Sequence, residues 1–91
     1  MRFTWDEKKR RSKPKFHGID FVDAPRVFEG PTVTFEDDRF DYDEHRFVTL
    51  GLLSDIAVSI IHTESTTRIH VISFRKATRN EEIFFFESIK D

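Results

Sequence analysis

The chain has no cysteine, which excludes both a disulfide framework and a thiolate metal site and suits a reducing compartment such as the cytoplasm. It also lacks long apolar runs. The longest such stretch, I-A-V-S-I-I at 56–61, falls far short of the roughly 20 residues that span a bilayer. The amino terminus, M-R-F-T-W-D-E-K-K, has no apolar segment of the kind that a secretory leader carries, so no membrane role is expected. Aromatic rings with polar handles are scarce: one Tyr and one Trp accompany eleven Phe, so ring burial depends on shape-matched packing and needs few hydrogen-bond partners. Internal repeats and low-complexity linkers are absent. The 91 residues suffice for one compact domain burying roughly 60–65% of its unfolded surface, and are too few for two cores, so 1–91 is read as a single domain.

What the chain does have is charge, and the charge is segregated. The formal net charge of −2 hides a basic amino-terminal block. Residues 1–18 carry seven Lys/Arg against two Asp/Glu, and residues 19–44 carry two against nine. Residues 45–80 return to five against two, and residues 81–91 hold one against four. Phosphate attraction is local within a Debye length of about 8 Å, so an acidic chain still binds RNA where its basic segments meet in space.

Hydrophobic periodicity predicts an α+β fold: two N-terminal helices, a mainly antiparallel sheet of about four to five strands, and a C-terminal helix. Residues 2–5 read as a short strand, and Asp6 is placed to cap a helix over 7–13 that Pro14 ends. Gly18 is the expected left-handed punctuation. Phe21, Ala24, Val27 and Phe28 make one apolar face of a second helix over 20–29, with Pro25 arguing for a late start or a kink. P-T-V-T-F-E at 31–36 alternates as a strand, and the acidic run 37–44 reads as a turn or hairpin tip. Three more strands follow, H-R-F-V-T-L-G-L, I-A-V-S-I-I-H-T and T-R-I-H-V-I-S-F-R, joined by breaks so short that neighbours must run antiparallel. Thr78-Arg79-Asn80-Glu81 is a capping box opening a helix over 79–89. Its Ile83, Phe84, Phe85 and Phe86 step by about 100° each and cannot all meet one sheet, so Phe84, Phe85 and Phe86 are read as a partner-binding face.

The densest functional signal is T-T-R-I-H-V-I-S-F-R-K-A-T-R-N-E-E at 66–82, a strand running into a helix start crowded with cations. Arg75, Lys76 and Arg79 converge where backbone amides and the helix dipole already favour an anion, which suggests a phosphate clamp. Arg79 in the first helical turn opposes the dipole, so anion binding explains it better than stability does, although a solvated Arg offset by Glu81 or Glu82 is the plain alternative. Arg68 and His70 share a strand face, whereas Arg75 lies at odd spacing and joins them only if the strand breaks near 73–75. His62 and His70 are possible cross-strand neighbours suited to RNA contact or proton transfer, or else packed strand histidines. They form no metal site, because no third ligand stands at characteristic spacing and the acidic run lacks an EF-hand pattern. The basic run Lys8–Lys15 is a solvated helix face with one or two functional contacts, Lys9 among them. His17 reads as a helix-end residue and is not assigned to catalysis.

Five segments carry a family likeness: F-T-W-D-E-K-K from Phe3, H-G-I-D-F-V-D-A-P-R-V-F from His17, H-R-F-V-T-L-G from His45, I-I-H-T-E from Ile60, and R-I-H-V-I-S-F-R-K-A-T-R-N-E from Arg68. On these the chain resembles the BrnT toxins, ribonuclease halves of bacterial type II toxin-antitoxin pairs with a fold related to the RelE group. The resemblance implies a metal-independent, cofactor-free cytoplasmic endoribonuclease that inhibits translation and is neutralised by a BrnA-type antitoxin in a hetero-oligomer. Operator DNA would be met only through the antitoxin. It also implies that Arg68, Arg75 and Arg79 serve RNA cleavage; Lys76, His62, His70 and Lys9 are the substrate contacts expected from the residues themselves. Four positions depart from the family pattern: Lys13 and Phe16 stand where Asn and Lys are usual, His70 where Arg is common, and Phe85 where Tyr is usual. The rival reading is a non-catalytic module that docks a partner through its Phe-rich final helix.

Overall fold

The structure, a computed structural model, describes residues 1–39 and 43–90. Five strands form one sheet: β1 Arg2–Trp5, β2 Val33–Glu36, β3 Phe47–Leu53, β4 Ile56–Glu64 and β5 Arg68–Lys76. Their spatial order is β1-β5-β4-β3-β2, with β1 parallel to β5 and every other pair antiparallel. The expected α+β class therefore stands, with a mixed sheet. Part of the acidic run read as a turn, residues 40–42, lies outside the described residues.

Helix α1, Glu7–Ser12, starts because the Asp6 side chain accepts from the Lys8 and Lys9 amides. The second predicted helix is shorter and divided. Asp20 accepts from the Val22 amide and opens a 3-10 turn at Phe21–Asp23, and helix α2 then runs over Ala24–Phe28. Pro25 explains the late start, since a proline fits the first helical turn, where its missing amide has no partner to lose. Helix α3, Arg79–Ser88, opens with the full capping box of Thr78 and Glu81.

Each face of the sheet buries its own cluster. On one face Ile19, Phe21, Ala24 and Val27 pack over Val58, Ile60, Val71 and Phe74. On the other, Phe85 of α3 packs fully buried on Val48 and Leu50, with Ile61 beside them. Gly51 allows the first arrangement, because a β-carbon there would lie 2.6 Å from Cγ1 of Val27.

The register of β5 breaks once. Ile61 pairs with Ser73 and His62 with Val71, leaving Ile72 as an extra residue, a β-bulge. Val71 and Phe74 accordingly enter the same core cluster at odd spacing. By the same parity change, Arg75 joins Arg68 and His70 on the opposite face. The break falls at Ile72, slightly before the 73–75 window in which the sequence required one. The ammonium of Lys9 donates to the Ile72 carbonyl, satisfying an acceptor that the bulge leaves without a ladder partner.

Candidate functional site

Beyond Val71, β5 loses its β1 neighbour, whose pairing covers only Arg68–Val71. Along this stretch the segment from Arg10 to Phe21 folds back, leaving a cleft of about 260 Å3. Its floor is apolar: Ile19, Phe21 and Phe74. Basic side chains form its walls: Arg10, Lys13 and Lys15, with the His17 imidazole, from the amino-terminal segment, facing Lys76 from β5, with Arg75 at the edge. Asp20 is the one carboxylate in the lining. It is already engaged, 3.2 Å from Arg10 and 3.9 Å from Lys15.

The wall cations differ in how free they are. Arg10 is held 2.7 Å from Glu7, and this hydrogen bond, with one from Trp5, lowers the Glu7 carboxyl to about 2. Arg10 therefore ties α1 to the following segment and is largely neutralised. Arg75 makes a two-pronged pair with Glu81, at 2.8 and 3.1 Å, and also donates to the Lys76 carbonyl. Partial burial pushes the Glu81 carboxyl up, but the hydrogen bonds from Arg75 and the Thr78 amide outweigh it and leave the group below its ordinary range. Glu81 thus closes the capping box and anchors Arg75 on the α3 side of β5. Lys13 lies over the Phe21 ring at 5.9 Å. Neither Lys13 nor Lys76 has an ion-pair partner among the described residues.

Of the residues singled out from sequence, Lys76 faces this cleft beside Phe74, whereas Arg75 borders it and turns its guanidinium to the opposite face of β5, onto Glu81. Arg79, at the start of α3, is exposed and lies outside its lining, and Arg68 begins β5, about 20 Å along the strand from Arg75 at roughly 3.3 Å per residue. The four cations therefore do not form one clamp. Lys9 is turned toward the Ile72 carbonyl, and burial, followed by the charge on Lys13, holds its ammonium below the usual range. His70 bonds Thr4 Oγ1 through Nδ1 at 2.8 Å on the β1–β5 pair. His62 is not a surface contact for RNA. It is fully buried between the Phe28 and Phe47 rings, with Nε2 2.7 Å from Thr49 Oγ1, because its place on β4 faces the core. Phe85 is likewise removed from the proposed partner-binding face: it is the inward residue of α3, whereas Phe84 and Phe86 flank it about half exposed. Phe84 meets the exposed Phe35 of β2 edge to face at 6.0 Å.

Sequence reasoning missed Lys13, Lys15, Phe16 and His17 as parts of a site. Their charges were visible as a basic run, but the fold-back that sets them opposite β5 was not. A second cleft of about 180 Å3, beside α3, is rimmed by Glu36, Asp37, Asp38 and Glu81 with Arg39 and Arg75, and is poorly suited to phosphate. Among the described residues no cluster of three or more His, Cys, Asp or Glu is placed to hold a metal ion, and no helix is long and apolar enough to cross a membrane.

No curated protein and no solved structure matches the chain significantly. Residues 5–81 match the family described as the ribonuclease toxin, BrnT, of type II toxin-antitoxin systems, a span that includes the whole cleft. With that match covering most of its length, the chain belongs to the BrnT family of ribonuclease toxins.

Proposed function

We propose that the chain is a metal-independent endoribonuclease acting in the cytoplasm, inhibiting translation and neutralised by a BrnA-type antitoxin, with the cationic cleft along β5 as the RNA site. The observation that carries this reading is the concentration of Lys13, Lys15, His17, Arg75 and Lys76 around one concavity in a chain of net negative charge. In the reaction the RNA 2'-hydroxyl attacks the adjacent phosphorus and gives up its proton, the bond to the 5'-oxygen breaks, and that oxygen is protonated from water. Lys76 and Lys13 stabilise the charge building on the phosphoryl oxygens, and Arg75, held by Glu81, positions the end of β5 that carries Lys76. Arginine keeps its proton at neutral pH, so it is not the base. His17 takes that role, being the imidazole in the cleft wall, in place of His62, which is shut in the core. Arg68 and Arg79 serve instead to guide the RNA chain along the molecule. Phe84 and Phe86, with Phe35, form the apolar surface against which the antitoxin packs.

The test is cleavage of RNA by the freshly released chain in EDTA. A Lys13→Ala/Lys76→Ala variant, which leaves the Arg75–Glu81 junction intact, is expected to lose about 100-fold or more in rate. Circular dichroism checks that it folds. A wild-type chain inactive in EDTA and restored by a divalent cation would overturn metal independence, and undiminished cleavage by the double variant would overturn the site.

A further inference from the structure

Phe16 stands out among the cleft's lining. It is the most exposed Phe among the described residues, at 71%, and it is carried on a 3-10 turn, Phe16–Gly18, at the cleft rim. His17, next to it, has φ 58° and ψ 20°, and Gly18 has φ 71°. A non-glycine residue in this left-handed region is uncommon, and the conformation is held here by the amide of Ile19, which donates to the Phe16 carbonyl at 3.1 Å. The backbone thus presents a large ring to solvent at the mouth of a concavity whose floor is Ile19, Phe21 and Phe74 and whose walls are cationic.

That combination of an apolar floor, an aromatic rim and surrounding cations matches the chemistry of one nucleotide: a ring face for the base, cations for the phosphates on either side. We propose that the cleft accepts a single unstacked base of single-stranded RNA, stacked on Phe16, with the flanking phosphates held by Lys13, Lys15 and Lys76. Duplex RNA is a poor ligand, because its bases already stack on one another and offer the ring no free face. The cavity of about 260 Å3 lies just below the usual range for small-molecule pockets, of a size for one base rather than a longer ligand. This inference rests on the ribonuclease reading and adds to it the strandedness of the substrate and the residue that reads it.

The experiment measures binding by fluorescence anisotropy of a 2'-O-methyl oligonucleotide, which cannot undergo attack by its own 2'-oxygen. Three probes are used: a single strand, the same strand as a duplex, and a single strand with one abasic position scanned along it. The wild-type chain is expected to prefer the single strand to the duplex by at least 10-fold. Phe16→Ala should weaken single-strand binding by about 5- to 160-fold, the range for loss of one stacked base, and Phe16→Trp should retain it. At one abasic position the wild type should bind as weakly as Phe16→Ala, and the substitution should then make no further difference. Equal affinity of wild type and Phe16→Ala for the single strand, or equal wild-type affinity for strand and duplex, overturns the proposal while leaving cleavage intact. So does a Phe16→Ala chain that binds RNA normally but no longer captures its antitoxin. A wild-type chain that neither binds nor cuts any RNA would instead refute the underlying ribonuclease reading.

Discussion

Acidification should destabilise this fold through one side chain, His62. Its imidazole is fully buried, accepts or donates one hydrogen bond to Thr49 Oγ1 at 2.7 Å, and leaves Nδ1 without a hydrogen bond. Burial pushes its pKa below the ordinary value of 6.5, against the opposing pull of Glu64, whose Oε1 lies 3.6 Å from Nδ1, and of the Thr63 backbone. A depressed pKa means that the unfolded chain binds the proton first. The contribution of His62 is therefore complete above pH 6.5 and falls as pH drops below it toward the folded-state value. In that window the loss is at most about 1.4 kcal/mol per pH unit, so moving from pH 7.5 to 5.5 should remove stability up to a limit of about 1.4 kcal/mol. At a slope of about 1 to 1.5 kcal/mol per molar, this lowers the urea midpoint by up to roughly 1 M. The carboxyls of Glu7 and Glu81 are also held low, but their effect lies below the ordinary carboxylate value of 4.5 and outside this window. The assay is urea unfolding at half-unit pH steps, for the wild type and for His62→Gln, which keeps a side chain able to bond Thr49. The variant should be less stable at pH 7.5 by about 1 to 3 kcal/mol and should lack the pH slope. A wild-type midpoint that is flat from pH 7.5 to 5.5, or a slope unchanged in His62→Gln, would refute the reasoning.

Phe85→Ala should destabilise the fold by about 3 to 5 kcal/mol in thermal or urea unfolding, since Phe85 alone fills the interface of α3 with β3 and β4. Phe84→Ala and Phe86→Ala, on exposed positions, should change stability by less than about 1 kcal/mol and yet weaken antitoxin capture in a pull-down titration. Gly51→Ala should lose about 1 to 3 kcal/mol by driving a β-carbon into Val27, read by the same unfolding curves. Arg75→Lys should fail to restore the cleavage lost in Arg75→Ala, because an ammonium cannot reproduce the two-pronged bond to Glu81 that fixes the end of β5 to the start of α3; recovery of the full rate would show that charge alone suffices.

Much of the architecture was legible because its determinants are local. The apolar runs at 56–63 and 67–75, bounded by short polar breaks, mark β4 and β5, Thr78 with Glu81 marks the start of α3, and Pro25 sets the late onset of α2. The site was less legible. The clamp inferred from spacing in 66–82 divides, with Lys76 at the cleft, Arg75 at its edge and Arg68 and Arg79 away from it, since sequence proximity along a strand and across a helix start does not specify a common concavity. The stacking arrangement of Phe84, Phe85 and Phe86 followed its 100° steps, but which ring turned inward depended on how α3 sits on β3 and β4.

By itself the sequence determined the kind of molecule: a small uncrosslinked α+β domain with a segregated charge pattern and the segments of a toxin family. Those are properties of periodicity, capping and composition, which act over a few residues. Tertiary structure alone decided the face of Arg75, through a single extra residue at Ile72, the burial of His62, and the meeting of residues 10–21 with 74–76. Each depends on pairing between distant segments, where one residue of register reverses a side chain and a fold-back turns a solvated basic run into the wall of a site.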